Sequence, residues 1–250
     1  MKKLYQFNYL SRFLFLLLTP TIFRALNFAF IWHSIYWGTV TFVVLIWGFF
    51  IIISPLLGRV GCGWMCFFGT IQDIASEKSL IKTKWEKPVI WKRILWVILF
   101  FGSALIFFYI NMNNGKIIRF SFNPSFLNMD FDNHYKHVWI YDTVGAVLLG
   151  LLMERRRTCR NGCPVGSLCA VGSTYSRLIP VVDTSKCTSC GLCEKVCLTR
   201  IPILDYIKNN NGLVTNSECL NCGKCADVCK PKAIIVKFVW NRNAYKEKLN

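Results

Sequence analysis

The chain has 250 residues and a formal net charge of +17, yet 54% of its residues are hydrophobic and only 17% are charged. Its mean hydropathy of +0.38 is too apolar for an ordinary soluble protein of this length. The lysines and arginines flank apolar runs, as cytoplasmic loop cations of membrane helices do, so no nucleic-acid partner is expected.

In chain order, the start MKKLYQFNYLSRFLFLLLTP joins a basic end to an apolar run with no small-x-small cleavage site. It reads as an uncleaved first membrane helix, about Leu10 to Ile31, interrupted by Pro20 and Arg24. An arginine at mid-bilayer costs about 2.5–3.5 kcal/mol, which puts Arg24 toward an interface. After an aromatic turn, Trp37 to Leu57 is an uncharged second span. The next connection holds Arg59, Lys78, Lys82, Lys84, Lys87, Lys92 and Arg93, the most basic stretch between apolar segments, and is placed in the cytoplasm. A third span runs about Ile94 to Ile110, a polar outer loop Asn111 to His137, and a short fourth span Val138 to Met153. The last ends at the cytoplasmic stop Glu154-Arg155-Arg156-Arg157. Four crossings return the chain to its starting side.

The strongest signal follows. CTSCGLCEKVC and CLNCGKCADVCKP each carry the spacing Cys-x-x-Cys-x-x-Cys-x-x-x-Cys of bacterial two-cluster ferredoxins. By that pattern Cys187, Cys190 and Cys193 would hold one 4Fe–4S cube, closed by Cys229. Cys219, Cys222 and Cys225 would hold the other, closed by Cys197. Three thiolates on a tight turn cap three irons, and the fourth must come from elsewhere, which staples the two halves. Gly191 and Gly223 lie where the backbone must bend. Zinc knuckles have longer gaps between ligand pairs. The usual proline after the fourth cysteine is displaced: Leu198 follows Cys197, and Lys230 then Pro231 follow Cys229. The final AIIVKFVW reads as a closing strand. The expected fold is an α-helical membrane protein with four transmembrane helices plus a small α+β two-cluster ferredoxin domain. The expected division is residues 1–158 (membrane), 159–182 (second motif and linker) and 183–250 (ferredoxin).

Five of the thirteen cysteines remain. Ligand spacing and chain size argue against a secreted disulfide scaffold. Cys62 and Cys66 follow the second span and Cys159 and Cys163 the fourth, both as Cys-x-x-x-Cys. On a helix, i and i+4 face the same way, so the pairs can meet as one four-thiol site beneath the membrane. Such a site could take a metal or a cluster, or cycle between dithiol and disulfide. Cys169 has no partner spacing and reads as structural.

Four spans, paired Cys-x-x-x-Cys motifs and a C-terminal pair of 4Fe–4S motifs resemble the NapH-type membrane polyferredoxins; the membrane portions of NosR and CcoG are similar. GRVGCGWMCFFGTIQD resembles the family's first motif, with Phe67 in place of proline, and CRNGCPVGSLCAVGS its second, with Pro164 present. The resemblance implies an electron-transfer component of an oxidoreductase system in the inner membrane, with a cytoplasmic ferredoxin domain and with quinol or redox proteins as partners. The rival implied by the CcoG likeness is a copper-reducing assembly factor, in which the four thiols bind Cu(I). His33, His134 and His137 fall near the outer side, not inside helices where axial haem ligands belong. Asp142, about a turn in from the outer end of the fourth span, is with His137 a candidate proton acceptor for quinol.

Overall fold

The computed structural model describes residues 2–18, 31, 39–40, 42–78, 90–115, 119–120, 133–152, 156, 159–160, 162–242 and 245. The first helix, α1 (Lys2–Leu17), starts at the basic end, eight residues ahead of the expected span. It is amphipathic in an inverted sense. Phe7, Leu10, Leu14 and Leu17, spaced along one face, are each at least half exposed, while Asn8 and Arg12 on the opposite face are buried. Most of the remainder of the expected first span, including Arg24, lies outside the described residues, as does His33.

Thr39–Val40 (β1) pairs in parallel with Arg119–Phe120 (β2). The second apolar helix, α2 (Phe42–Leu57), therefore starts later than the expected Trp37. It ends because Gly58 takes a positive φ of 71° and its N–H closes on the Ser54 carbonyl at 2.8 Å. Two short helices follow, α3 (Val60–Trp64) and α4 (Phe67–Ala75). Next come α5 (Ile90–Val97), a π-helical stretch Ile98–Gly102, and α6 (Ser103–Asn113). Among the described residues the run Arg93–Asn113 is the one helix both long and apolar enough to cross a bilayer. α2 is shorter, about 24 Å at 1.5 Å per residue.

Helix α7 (Asn133–Leu152) begins five residues before the expected fourth span. The expected outer loop is correspondingly shorter. His134 and His137 fall on the helix, and Asp142 lies near its middle, not a turn from its end; their side chains are outside the described set. Helix α8 (Pro164–Ser173) completes the helical part. The packing is crosswise. α4 lies on α7, where Gly150 faces Ala75 and Gln72, and α8 lies on α2, where Gly172 faces Ser54 and Pro55.

The ferredoxin unit is closed by β3 (Leu178–Val182) and β4 (Ile234–Phe238), antiparallel with Leu178 opposite Phe238 and Val182 opposite Ile234. β3 precedes residue 183, so the unit reaches back into the stretch expected to be linker. Helices α9 (Leu192–Val196), α10 (Ile203–Asn209) and α11 (Lys224–Val228) complete it. Its core is Val182, Ile201, Ile203, Val214, Ala233 and Ile234. Gly191 and Gly223 have φ of 71° and 78°, the left-handed bend expected within each cysteine run. Gly212, at φ 77°, lies against the Val182 carbonyl while Val182 N–H donates to its carbonyl at 2.8 Å. Gly212→Ala is expected to cost at least about 1–3 kcal/mol in backbone strain alone, read as an earlier thermal loss of visible iron–sulfur absorbance.

Candidate metal centres

Part of the ferredoxin cysteine set is drawn together. Cys197 lies within electrostatic reach of Cys219, Cys222 and Cys225, and the four line one cavity with Leu198, Ile201 and Val214. Cys187 lies beside Cys193. The two closing cysteines are built alike: Ile201 N–H donates to Cys197 Sγ at 3.4 Å and Ala233 N–H to Cys229 Sγ at 3.3 Å. Backbone N–H groups aimed at sulfur are a recurring part of iron–sulfur sites. Exposure does not divide the thiols by half: Cys193 is buried and Cys190 exposed, while Cys219, Cys222 and Cys225 are half-buried. Burial pushes Cys219 and Cys225 up, whereas Cys190 is exposed, and hydrogen bonds from the Leu192 N–H and Thr188 hold it down.

Residues 186–234 match the 4Fe-4S dicluster domain, and residues 39–88 match the 4Fe-4S binding domain. The chain is a ferredoxin-type iron–sulfur protein. It carries two 4Fe–4S clusters, and the cavity lined by cysteines fits one of them. It is 28% identical over 166 residues to YccM of Escherichia coli, named as an electron transport protein, covering 62% of this chain and 45% of that one. It is 28% identical over 163 residues to the methylamine utilization ferredoxin-type protein MauN of Methylobacillus flagellatus, covering 62% and 52%. It is 25% identical over 163 residues to the regulatory protein NosR of Pseudomonas aeruginosa, covering 61% and 22%. The chain thus spans about half the length, or less, of these curated relatives. No solved structure matches this iron–sulfur protein.

The other cysteines also converge, but not by the expected route. Neither pair sits on one helix. Cys62 lies within α3, the chain turns at Met65, and Cys66 is the N-cap of α4 with ψ 107°. Cys163 is likewise the N-cap of α8, with ψ 116°. A helix cannot run through a residue in extended geometry, so the i, i+4 argument fails, yet the thiols lie near one another by another route. Cys159 is within electrostatic reach of Cys62, Cys66 and Cys163, and Cys163 of Cys62 and Cys66. Burial pushes Cys66 and Cys159 up and Cys163 to about 12.

Cys169, expected to be structural, lies against Cys62. Its hydrogen bond to Cys62, with the Arg59 and Arg156 charges, holds Cys62 down against burial. Gln72 takes the corresponding place opposite Cys159, with Sγ to Oε1 at 3.4 Å.

The arginines are a further correction. Arg59, Arg93 and Arg156 were expected to be topology-setting loop cations. Arg59 and Arg156 are 1% exposed. Arg59 pairs with Glu218 at 2.6 Å, and Arg93 reaches the other oxygen of the same carboxylate. Arg156 pairs with Asp73 at 2.7 Å, as does Arg12 at 2.5 Å. A cation at the mouth of a membrane helix obeys the same charge bias whether it faces water or a buried carboxylate, so composition does not separate the two.

Proposed function

We propose that this iron–sulfur protein is a membrane-anchored electron carrier. Cys187, Cys190, Cys193 and Cys229 would hold one cluster, and Cys219, Cys222, Cys225 and Cys197 the other. One-electron exchange is the chemistry 4Fe–4S clusters supply. The observation that carries the reading is the seat of one cysteine loop on another. Trp64 Nε1–H donates to the Asn221 carbonyl at 3.3 Å, and Gly63 is packed so tightly on Leu220 that an added Cβ would lie 2.6 Å from its carbonyl oxygen. Trp64 lies between Cys62 and Cys66, and Asn221 between Cys219 and Cys222. On this reading electrons pass between the four thiols, the half-buried Cys219 set and the Cys187 set, whose Cys190 is exposed for a redox partner.

Membrane anchoring is supported by the outward apolar stripe of α1, by Ile52 of α2 at 80% exposure, and by the helix Arg93–Asn113. Four crossings, a cytoplasmic ferredoxin unit and quinol as donor or acceptor complete the proposal. The protein's own part is to enclose one cluster, aim N–H groups at its thiolates and place Arg59 and Arg12 nearby, cations that favour the reduced, more negative state.

The test is anaerobic purification in detergent, reduction with dithionite, and rapid-mixing reoxidation by a quinone analogue and by a soluble one-electron acceptor. Reoxidation of both clusters within the mixing experiment is expected. Clusters inert to every acceptor, together with tight Cu(I) binding lost in the quadruple Cys62, Cys66, Cys159 and Cys163 to serine variant, would overturn the reading in favour of a copper-handling factor.

A further inference from the structure

The pattern Arg-x-x-Cys-x-x-x-Cys-x-x-Gly occurs twice, from Arg59 to Gly69 and from Arg156 to Gly166. The two copies are joined reciprocally. Arg59 Nη2 donates to the Cys159 carbonyl at 3.1 Å, and Arg156 Nη1 to the Cys62 carbonyl at 2.5 Å. Each guanidinium fills the space over the other copy's glycine, Arg156 over Gly69 and Arg59 over Gly166. Each is anchored by one buried carboxylate, Asp73 or Glu218. The equivalence continues past the glycine. Thr70 and Ser167 hydroxyls donate to the carbonyls of Cys66 and Cys163 at 3.0 and 2.9 Å. The Gly69 N–H is directed at the Cys66 sulfur, and the Gly166 N–H donates to Cys163 Sγ at 3.3 Å.

The two copies are therefore two halves of one site related by a local pseudo-twofold. We propose that Cys62, Cys66, Cys159 and Cys163 bind a third 4Fe–4S cluster, two ligands from each half, at the membrane-proximal end of the relay. Three observations carry it. The matched 4Fe-4S binding region, residues 39–88, contains only Cys62 and Cys66 as thiol ligands, so a cube there must take two from elsewhere, and the second copy supplies them. The N–H donors on Cys66 and Cys163 repeat those on Cys197 and Cys229, and they suit thiolate rather than disulfide sulfur. The reciprocal Arg59–Cys159 and Arg156–Cys62 hydrogen bonds hold the two pairs against each other, so that the four thiols face one space. A cluster takes all four sulfurs as thiolates, so binding releases whatever protons the bare thiols carry. Arg59 and Arg156 are positioning residues: they fix the backbone of the opposite half and place cations beside the thiolates.

The inference deepens the carrier reading but is separable from it. The full chain, purified anaerobically in detergent, is expected to hold about twelve irons and to show a third reduced-cluster signal by electron paramagnetic resonance. The double variant Cys66→Ser, Cys163→Ser is expected to lose about four irons and that signal alone. The wild-type count does not depend on how the variant folds. About eight irons in the wild type would overturn the third cluster, whether accompanied by one bound zinc or copper or by a Cys62–Cys66 or Cys159–Cys163 disulfide. It would leave the two-cluster carrier standing, which fails only if the clusters do not exchange electrons.

Discussion

Glu218→Gln is expected to destabilise the protein by about 3–5 kcal/mol, because it removes the charge from a buried ion-pair hub. The Glu218 carboxylate is 0% exposed, paired with Arg59 and Arg93, and 3.9 Å from Arg160 Nε. It also precedes Cys219. The hub thereby ties the end of α2, the start of α5, the second thiol motif and the cysteine loop at one point. Burial alone would push this carboxyl up, but Arg59, Arg93 and Arg160 outweigh it and hold it below 4.5. With a depressed folded-state value, its contribution is complete above the ordinary carboxylate range and is lost only as pH falls through the lowered value. The difference between wild type and variant should therefore be flat from pH 6 to 8. Thermal unfolding and iron retention on mild heating measure the effect; an unchanged midpoint would mean that the three arginines are compensated by groups other than Glu218.

Gly69→Ala is expected to be nearly as damaging, at about 3 kcal/mol or more, by displacing Arg156. A Cβ at Gly69 would overlap the Arg156 guanidinium. That group cannot withdraw without leaving both Asp73 and the Cys62 carbonyl, stranding one buried carboxylate on Arg12 alone. The equivalent Gly166→Ala is expected to cost less, since its Cβ would lie 2.8 Å from Arg59 Nη2 and 3.0 Å from the Cys159 carbonyl. Gly48→Ala, on α2 with nothing within 4 Å, should be neutral or stabilise by up to about 1 kcal/mol through helix propensity. The order Gly69, Gly166, Gly48, read from thermal midpoints and iron content, is the prediction. Equal effects at Gly69 and Gly48 would show that Arg156 is not locked.

Much of the site was legible as spacing. The eight ferredoxin cysteines, the bends at Gly191 and Gly223 and the closing strand Ile234–Phe238 are local features. Turn geometry, ligand number and a period of two are set within a few residues, so a linear reading reaches them. The convergence of Cys62, Cys66, Cys159 and Cys163 was also inferred, but from a helix that is not there. The roles of Arg59, Arg156 and Glu218 were missed. The repeated Arg-x-x-Cys-x-x-x-Cys-x-x-Gly was a readable signal for the two arginines; Glu218, one carboxylate beside a cysteine motif, had none. Cys169 was set aside because its partner, Cys62, lies far off in the chain.

That iron–sulfur clusters are held here, and that two thiol pairs follow apolar helices, can be read from the linear chain. These follow from residue type and spacing, which covalent geometry carries directly. What needed the folded chain is that the two pairs lie near one another, that Arg59 and Arg156 are buried and each bonds the other motif, and that the Cys62–Cys66 loop rests on the Cys219–Cys222 loop. Each of these depends on contacts between segments far apart along the chain. The crosswise packing of α4 on α7 and α8 on α2 brings those segments together, and no local pattern specifies it.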